Sequence, residues 1–555
     1  MRHLWKAAFG LSFLLAACSG ESEVEIPLAD TVIWGGPVYT ADDGNPTAEA
    51  VAVKDGRIMG VGNRADIALL VGPSTQVIDL AGAALYPGFT DSHAHLDGIG
   101  RRELTLDLTG TASVSDLQAR LQSWREAHPE DTIVVGLGWI ETHWPEKRFP
   151  TAADIDLAIA DVPVILSRAD GHAVIANSAA LKAAGITADT EPPFGGDILK
   201  DEAGEPTGML IDNAMGLVQK LIPEPGAAEQ AKYLKAGAEL YAHRGWTGLH
   251  YMSAAWSDVA LLTDLSASGD VGIRVYVVPD GARAGALLEK GPVTSENGQI
   301  ITRAIKLYVD GALGSRGAAL LEPYADAHTS GLMLISEEEA KGYMRKALKH
   351  GVQVATHAIG DKGNRVLLDW YKDVLKGKLD DDLRWRIEHV QVITDEDAPR
   401  LKAMGIIPSM QPSHVISDMH FAPARLGPDR VHEAYAWRTV LRAGSIIAGG
   451  SDAPVEKGDP LIEFYAAIGR TDLSGYQGPD WQADQVMTRD EALKAFTIWP
   501  AVASFQENEI GTISIGKKAD FTAFSVDLMT APLADIPNGH AVLTMVDGKV
   551  LFQNR

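Results

Sequence analysis

Short apolar runs, most of them bounded by Gly, Pro or Asp, recur along the whole chain. In residues 28–85 they are Thr31–Trp34 and Pro37–Thr40 about Gly35-Gly36, Ala50–Val53 and Arg57–Val61 about Asp55-Gly56, then Val77–Leu80. Gly-Gly and Asp-Gly between β-branched runs predict hairpins. The same texture returns in residues 506–555, where Gly511–Phe521 leads to Ala541–Val546, Asp547-Gly548 and Lys549–Phe552. Each unit is too short to be a catalytic domain. Chain ends often lie close together, so the two are expected to pair as one small composite β-sandwich around a central region, 86–505.

That central region carries eight apolar runs. They are the segment through His93, Thr247–Met252, Ile273–Val278, Ala304–Asp310, Val352–His357, Trp385–His389, Ile406–Gln411 and Ile446–Asp452. Helical patterns such as Ser336–His350 and Asp395–Met404 separate most of them. Alternation of this kind predicts an α/β fold, a (β/α)8 TIM barrel, whose catalytic groups sit at the C-terminal ends of the strands. One interval breaks the rhythm. Between about Gly98 and Gly245 a βα unit would take roughly 30 residues, and more than a hundred stand there. The insert, about 100–245, has strand-like stretches at Thr132–Gly138 and Val162–Ser167, a helix near Asn177–Ala184 and a turn at Glu202–Pro206. It is expected to cap the barrel mouth and to set substrate choice.

Composition changes this picture little. Of 555 residues, 46% are hydrophobic and 22% charged, as in ordinary globular proteins. A formal net charge of −25 argues against a nucleic-acid surface and against adsorption to anionic membranes. The first residues stand apart. Arg2, His3 and Lys6 precede an apolar stretch, Ala7–Ala17, too short to span a bilayer. It ends in Leu15-Ala16-Ala17-Cys18, which resembles the bacterial lipobox. The expectation is a signal peptide over 1–17, a tether over 18–27 and a lipid anchor on Cys18, the chain's single cysteine. Ser19, rather than Asp, implies outer-membrane sorting in a Gram-negative cell, hence a periplasm-facing cell-envelope lipoprotein. The mature chain has no disulfide to rest on.

The chemistry lies at the strand ends. In extended chain His93 and His95 share a face. His357, His389 and Asp452 each close another apolar run. Neutral imidazoles and a carboxylate suit Zn²⁺ and similar divalent ions. Four histidines and an aspartate exceed one tetrahedral site with an open position, and fit two ions roughly 3.5–4 Å apart. Lys306, Tyr308 and Asp310 share a parity on the fourth strand. Asp310 could coordinate directly. Lys306 as an ammonium has no lone pair and would have to be carboxylated by CO₂.

The stretches Pro87–His95, Lys306–Arg316, Thr356–Asp361, Arg386–His389, Gly450–Val455 and Gly516–Asp520 together resemble the amidohydrolase superfamily. The closest branch resembled is amidohydrolase family 3, the YtcJ-like proteins and N-substituted formamide deformylases. The resemblance covers nearly the whole mature chain. It implies a barrel with a β-sandwich from both ends, His93 and His95 on the more buried ion and His357 and His389 on the other. It also implies Lys306 as an N6-carboxylated bridge and Asp452 at the end of the eighth strand, over one or two ions, Zn²⁺ or Mn²⁺. The implied reaction is hydrolysis of a small-molecule, non-peptide amide-type C–N bond by activated water, with Asp452 taking and returning the proton. An ester or lactone would suit the same site, and a non-catalytic binding lipoprotein would require an eroded ligand set, which is not found. His172 in the insert, Arg316 and His414 are candidate substrate contacts. Trp139 and Trp144 either line a pocket or pack within the cap. His250 reads as a supporting or core residue, and Asp361 and Glu388 as partners of ligand histidines. Homo-oligomerisation is left open.

Overall fold

The computed structural model describes residues 27–223, 225–478 and 481–554. The expected signal segment, Cys18 and nearly all of the tether fall outside them. Among the described residues no helix is long and apolar enough to cross a membrane.

The central region is mixed α/β. Its eight parallel strands are β1 (Phe89–Ala94), β2 (Trp246–Ala254), β3 (Arg274–Pro279), β4 (Ala304–Tyr308), β5 (Gln353–Ala358), β6 (Arg386–His389), β7 (Ile407–Met410) and β8 (Ala448–Gly449). β1, β2 and β3 pair in order, as do β4 through β8. The two sheets are joined just before β4: residues 300–302 pair with β3, and β4 itself, two residues on, pairs with β5. At the other edge Asp452 donates its N–H to His93 O at 2.6 Å, which brings the end of β8 against β1. This order is consistent with the expected (β/α)8 barrel. The strands are buried on both faces, and so read as unbroken apolar runs.

Strands from both chain ends share one eight-stranded sheet, in which Phe521–Phe524 pairs with Ala84–Pro87. Ala84–Pro87 runs straight on into β1. Phe89, its first residue, stacks on Phe496 and meets Phe524 edge-on at 5.3 Å, so an aromatic layer seats the sheet on the start of the strands. The Asp55-Gly56 hairpin forms as expected. The Gly35-Gly36 hairpin does not. One strand, Thr31–Tyr39, runs through the pair with a register shift between Trp34 and Val38. A Cβ on Gly36 would lie 1.9 Å from Ala83 O, so the glycines let the 79–83 turn pass close by.

The insert has its own six-stranded sheet and its own cores. Trp139 and Trp144 are buried there, their indole N–H groups donating to Leu166 O at 2.9 Å and Thr111 O at 2.6 Å. Packing within the insert, not a pocket wall, is their use. The strand Ala173–Ala176 and the hairpin around residues 201–205 complete the sheet.

Candidate metal centre

Three side chains converge where β1 and β8 meet. His93 and His95 place Nε2 at 3.4 and 3.1 Å from Asp452 Oδ1. One donor atom from each of the three lies within 4.8 Å of the others, a cluster able to hold a metal ion. Their backbone explains the convergence. His93 is within the strand, His95 caps the following helix from an extended conformation, and Asp452 takes φ +60° so that its carboxylate turns back over β1.

Asp91, two residues before His93, locks this corner. Its buried carboxylate accepts from the His93 N–H at 3.1 Å, the Ser451 N–H at 2.9 Å, the Ser451 hydroxyl at 2.6 Å and the Tyr241 hydroxyl at 2.9 Å. Burial raises its carboxyl to about 6 against those donors. Sequence reasoning assigned Asp91 no role; the alternation Asp91-x-His93 is the signal that could have found it.

Two of the imidazoles are held in one tautomer. His93 Nδ1 lies 2.6 Å from Glu388 Oε2, His95 Nδ1 3.1 Å from Met252 O and His389 Nδ1 2.8 Å from Gln411 Oε1. For His93 and His389 the partner is a carboxylate or amide oxygen, so Nδ1 carries the proton and Nε2 keeps its lone pair; His95 meets an acceptor on both sides, with Asp452 Oδ1 3.1 Å from its Nε2. Burial drives His93, His357 and His389 well below the ordinary histidine range, which keeps them neutral. Asp452 is the opposite case. Burial alone would raise it, but His93 and His95 hold it below the usual carboxylate range. Glu388 is itself pinned by Arg386, at 2.8 Å to Oε1 and 2.9 Å to Oε2. Arg386 also reaches His250 Nδ1 at 2.7 Å, Ser92 O at 2.7 Å and Ser409 Oγ at 2.9 Å. Glu388 thus supports His93, not its neighbour His389, and His250 supports Arg386. Asp361 meets none of the site histidines; it accepts from Leu321 and Lys362 N–H groups.

His389 and His357 stand beside this cluster. The ring of His389 is 4.7 Å from that of His93 and 4.5 Å from that of His357. His389 and Val390 both have positive φ, which swings the ring inward from a position whose strand parity differs from that of Glu388. His357 Nε2 lies 3.4 Å from Gly311 O, leaving Nδ1 as its candidate donor atom. Lys306 is buried with Nζ 3.2 Å from His93 Nε2, and burial lowers its amine to about 8. Asp310 does not serve as expected of a direct ligand. Its carboxylate accepts the N–H groups of Ala319, Ile359 and Gly360 at 2.8–2.9 Å and ties together the loops after β4 and β5.

Of the candidate substrate contacts, two reach the site. His172 lies with its ring 5.0 Å from that of His357 and its Nδ1 2.6 Å from Asp212 Oδ1. Burial opposes its charge, yet Asp212 raises its pKa overall. His414 places Nε2 3.7 Å from Asp452 Oδ2. Arg316 is not brought there: Asp326 holds its guanidinium in a two-pronged pair at 3.0 and 2.9 Å. Two cavities, of about 480 and 760 Å³, open on either side of the histidines and share Arg168, Asp170, His172, His357, His389 and Asp452 as walls.

Eight parallel strands delivering imidazoles and a carboxylate to their ends define a metal-dependent hydrolase fold. A profile of the Amidohydrolase family matches residues 76–552, and the chain belongs to that family. It is 36% identical over 546 residues to the protein YtcJ of Bacillus subtilis (strain 168), covering 94% of this chain and 99% of that one. It is 26% identical over 540 residues to the N-substituted formamide deformylase of Arthrobacter pascens, covering 95% and 99%. The crystal structure of an uncharacterized metal-dependent hydrolase from Pyrococcus horikoshii OT3 superposes with a TM-score of 0.72 at 26% identity, over 91% of this chain and 99% of that one. Family and neighbours alike support hydrolysis as the chemistry.

Proposed function

We propose that the protein hydrolyses a small, non-peptide amide-type C–N bond with a divalent metal, Zn²⁺ or Mn²⁺, at the His93–His95–Asp452 cluster. The observation that carries this reading is the convergence of donor atoms: His93, His95 and Asp452 gather theirs within 4.8 Å of one another, beside His389, with Nδ1 of His93 and His389 held by acceptors. Such a donor set suits a divalent ion. His93, His95 and Asp452 would hold one ion, and His357 and His389 a second. Lys306 would bridge them as a carbamate. Its amine has no carboxylate partner, and lowering to about 8 leaves part of it unprotonated to react with CO₂.

Bound metal supplies Lewis acidity toward the carbonyl and makes water a competent nucleophile near neutral pH. Asp452 takes the proton of the attacking water and hands it to the leaving nitrogen. It is ionised at neutral pH. His414 and His172 contact substrate from the two sides of the ligand cluster. We read the strands as a (β/α)8 barrel, the insert as its cap, and the terminal sheet as a composite sandwich. The lipobox-like Leu15–Cys18 supports export to the cell envelope with a lipid on Cys18.

The test is metal content per chain. The mature protein with Cys18→Ser, purified without chelator, is expected to hold one or two ions by elemental mass spectrometry. Two make Lys306 the bridge to examine by its carbamate signal. Absence of any bound ion after incubation with excess metal removes the hydrolase reading.

A further inference from the structure

Two cavities meet at the ligand cluster, and each is large enough to be a site in itself. Their volumes, about 480 and 760 Å³, both fall within the roughly 300–1,000 Å³ of whole small-molecule pockets. Asp452, His357 and His389 are walls of both. His414 belongs to the smaller alone, and His93, His95 and Lys306 to the larger alone. A bond placed at Asp452 therefore has a chamber on each hand.

The rest of the shared wall is fixed by the insert. Arg168 is buried, and Glu141 accepts from its Nε at 2.8 Å and its Nη2 at 3.1 Å, while Asp170 accepts from its Nη1. His172 is anchored on Asp212 at 2.6 Å. Asp212 in turn packs where only glycine fits: a Cβ on Gly311 or Gly317 would lie 2.4 or 2.3 Å from its Oδ2. The division into two chambers is thus held by ion pairs and close packing.

Beyond that wall each chamber has an apolar patch of its own. Ile140, Leu313 and Phe421 line the smaller, and Met215, Leu334 and Ile335 the larger. Each patch joins a residue of the insert, Ile140 or Met215, to loops of the central region. The acids of the smaller chamber are engaged by neutral donors, Asp418 by Tyr435 and Gln391, and Glu456 by Ser417. Apolar surface gains by leaving water. A substrate that ends at the carbonyl carbon, as a formamide does, or at the nitrogen, as a primary amide does, would leave one patch wet.

We propose that the substrate is a secondary amide with an apolar group of several atoms on each side of the scissile bond, one group in each chamber. Ile140 and Ile335 are the residues that set the room for the two groups. The proposal rests on the hydrolase reading for the identity of the bond, and not for the two-sided shape.

The probe is benzyl phenethyl ketone, which has the shape of such an amide with a methylene in place of the nitrogen and so cannot be cleaved. Benzyl methyl ketone and methyl phenethyl ketone keep one arm each. Titration calorimetry on the protein purified without chelator is expected to show the two-armed ketone binding at least about tenfold more tightly than either one-armed ketone, the gain of burying one more phenyl group. Ile140→Trp fills the smaller chamber and Ile335→Trp the larger. Each should remove most of that gain and weaken one one-armed ketone, a different one in each variant. A two-armed ketone that binds no better than the better one-armed ketone overturns the proposal. So do variants that weaken the same one-armed ketone, or neither. The wild-type comparison stands even where a variant fails to fold. Binding needs no turnover, so the two readings fail separately. A chain that favours the two-armed ketone but binds no metal overturns the hydrolase reading alone. One that holds metal and hydrolyses amides, yet binds the three ketones alike, overturns the two-sided site alone.

Discussion

Two buried arginines hold carboxylates in this molecule, at two levels of the same ring of strands. Arg274 opens β3 and pairs with Asp520 at 2.5 and 3.0 Å and with Asp547 at 2.6 Å, both from the terminal sheet. Arg386 opens β6 and pairs with Glu388, surrounded by residues of β1, β2 and β7. The chemistry of the two clusters is alike, and what lies behind each carboxylate is not. Asp520 leads back into sheet backbone, accepting the Asp547 N–H at 2.9 Å. Glu388 leads to His93 Nδ1, and so to the orientation of a candidate ligand. One cluster fastens two parts of the chain; the other transmits its geometry into the site.

The upper limit of the comparison is Asp452. Asp452→Asn should cut turnover by about 10²–10⁴-fold with an unchanged melting temperature; near-normal rates against an amide panel would remove Asp452 as the proton carrier. Next comes Glu388→Gln. It should weaken metal binding or activity by about 10–100-fold, the usual cost of losing the carboxylate behind a ligand histidine. It should also destabilise the fold, because Arg386 loses its charge partner. Metal affinity by competition with a chelator is the readout, and a wild-type value would erase the distinction drawn between the two clusters. Asp520→Asn should cost stability alone, about 3–5 kcal/mol for a broken buried pair. Metal content and kcat per folded molecule should stay at wild-type levels; a drop in either would mean that the terminal sheet reaches the site. The smallest effect concerns acid. Arg274 is the main cause that holds Asp547 below its ordinary range, although burial opposes it. A depressed carboxyl stabilises the fold above its unfolded pKa, about 4, and that contribution is lost as pH falls further. Denaturation midpoints of Asp547→Asn should therefore depend less on pH below about 4 than those of the wild type, and identical slopes would exclude the pair.

Much of this was legible in the residues. The eight apolar runs became β1–β8 because strands buried on both faces cannot alternate, so each stands out as a block. Asp55-Gly56 predicted its hairpin because both residues adopt the positive φ such a turn requires. Gly35-Gly36 misled because a glycine pair also serves wherever another segment must pass close by, and that segment is remote in sequence. His93, His95 and Asp452 were found as strand-end residues, and His172 and His414 reach the cavities. Arg316 did not, because its partner Asp326 lies ten residues on in a loop whose path no periodicity reports. Asp310 was read from parity alone, which cannot foresee three backbone N–H groups converging on one carboxylate. Ser417, on the helix Pro412–Asp418, and Glu456 lie 39 positions apart, and only the folded chain brings them together.

Asp91 clasps Ser451 across 360 positions of chain. Synthesis runs from the N-terminus, and domains generally fold as units in that order. When His93 and His95 leave the ribosome, the residue that completes their cluster has not yet been made. The meeting of β8 with β1 thus waits until residue 451 has been made, and a chain cut short before it leaves His93 and His95 without Asp452. Biogenesis accordingly has a built-in order, in which the full His93–His95–Asp452 donor set exists only in a chain extended past residue 452.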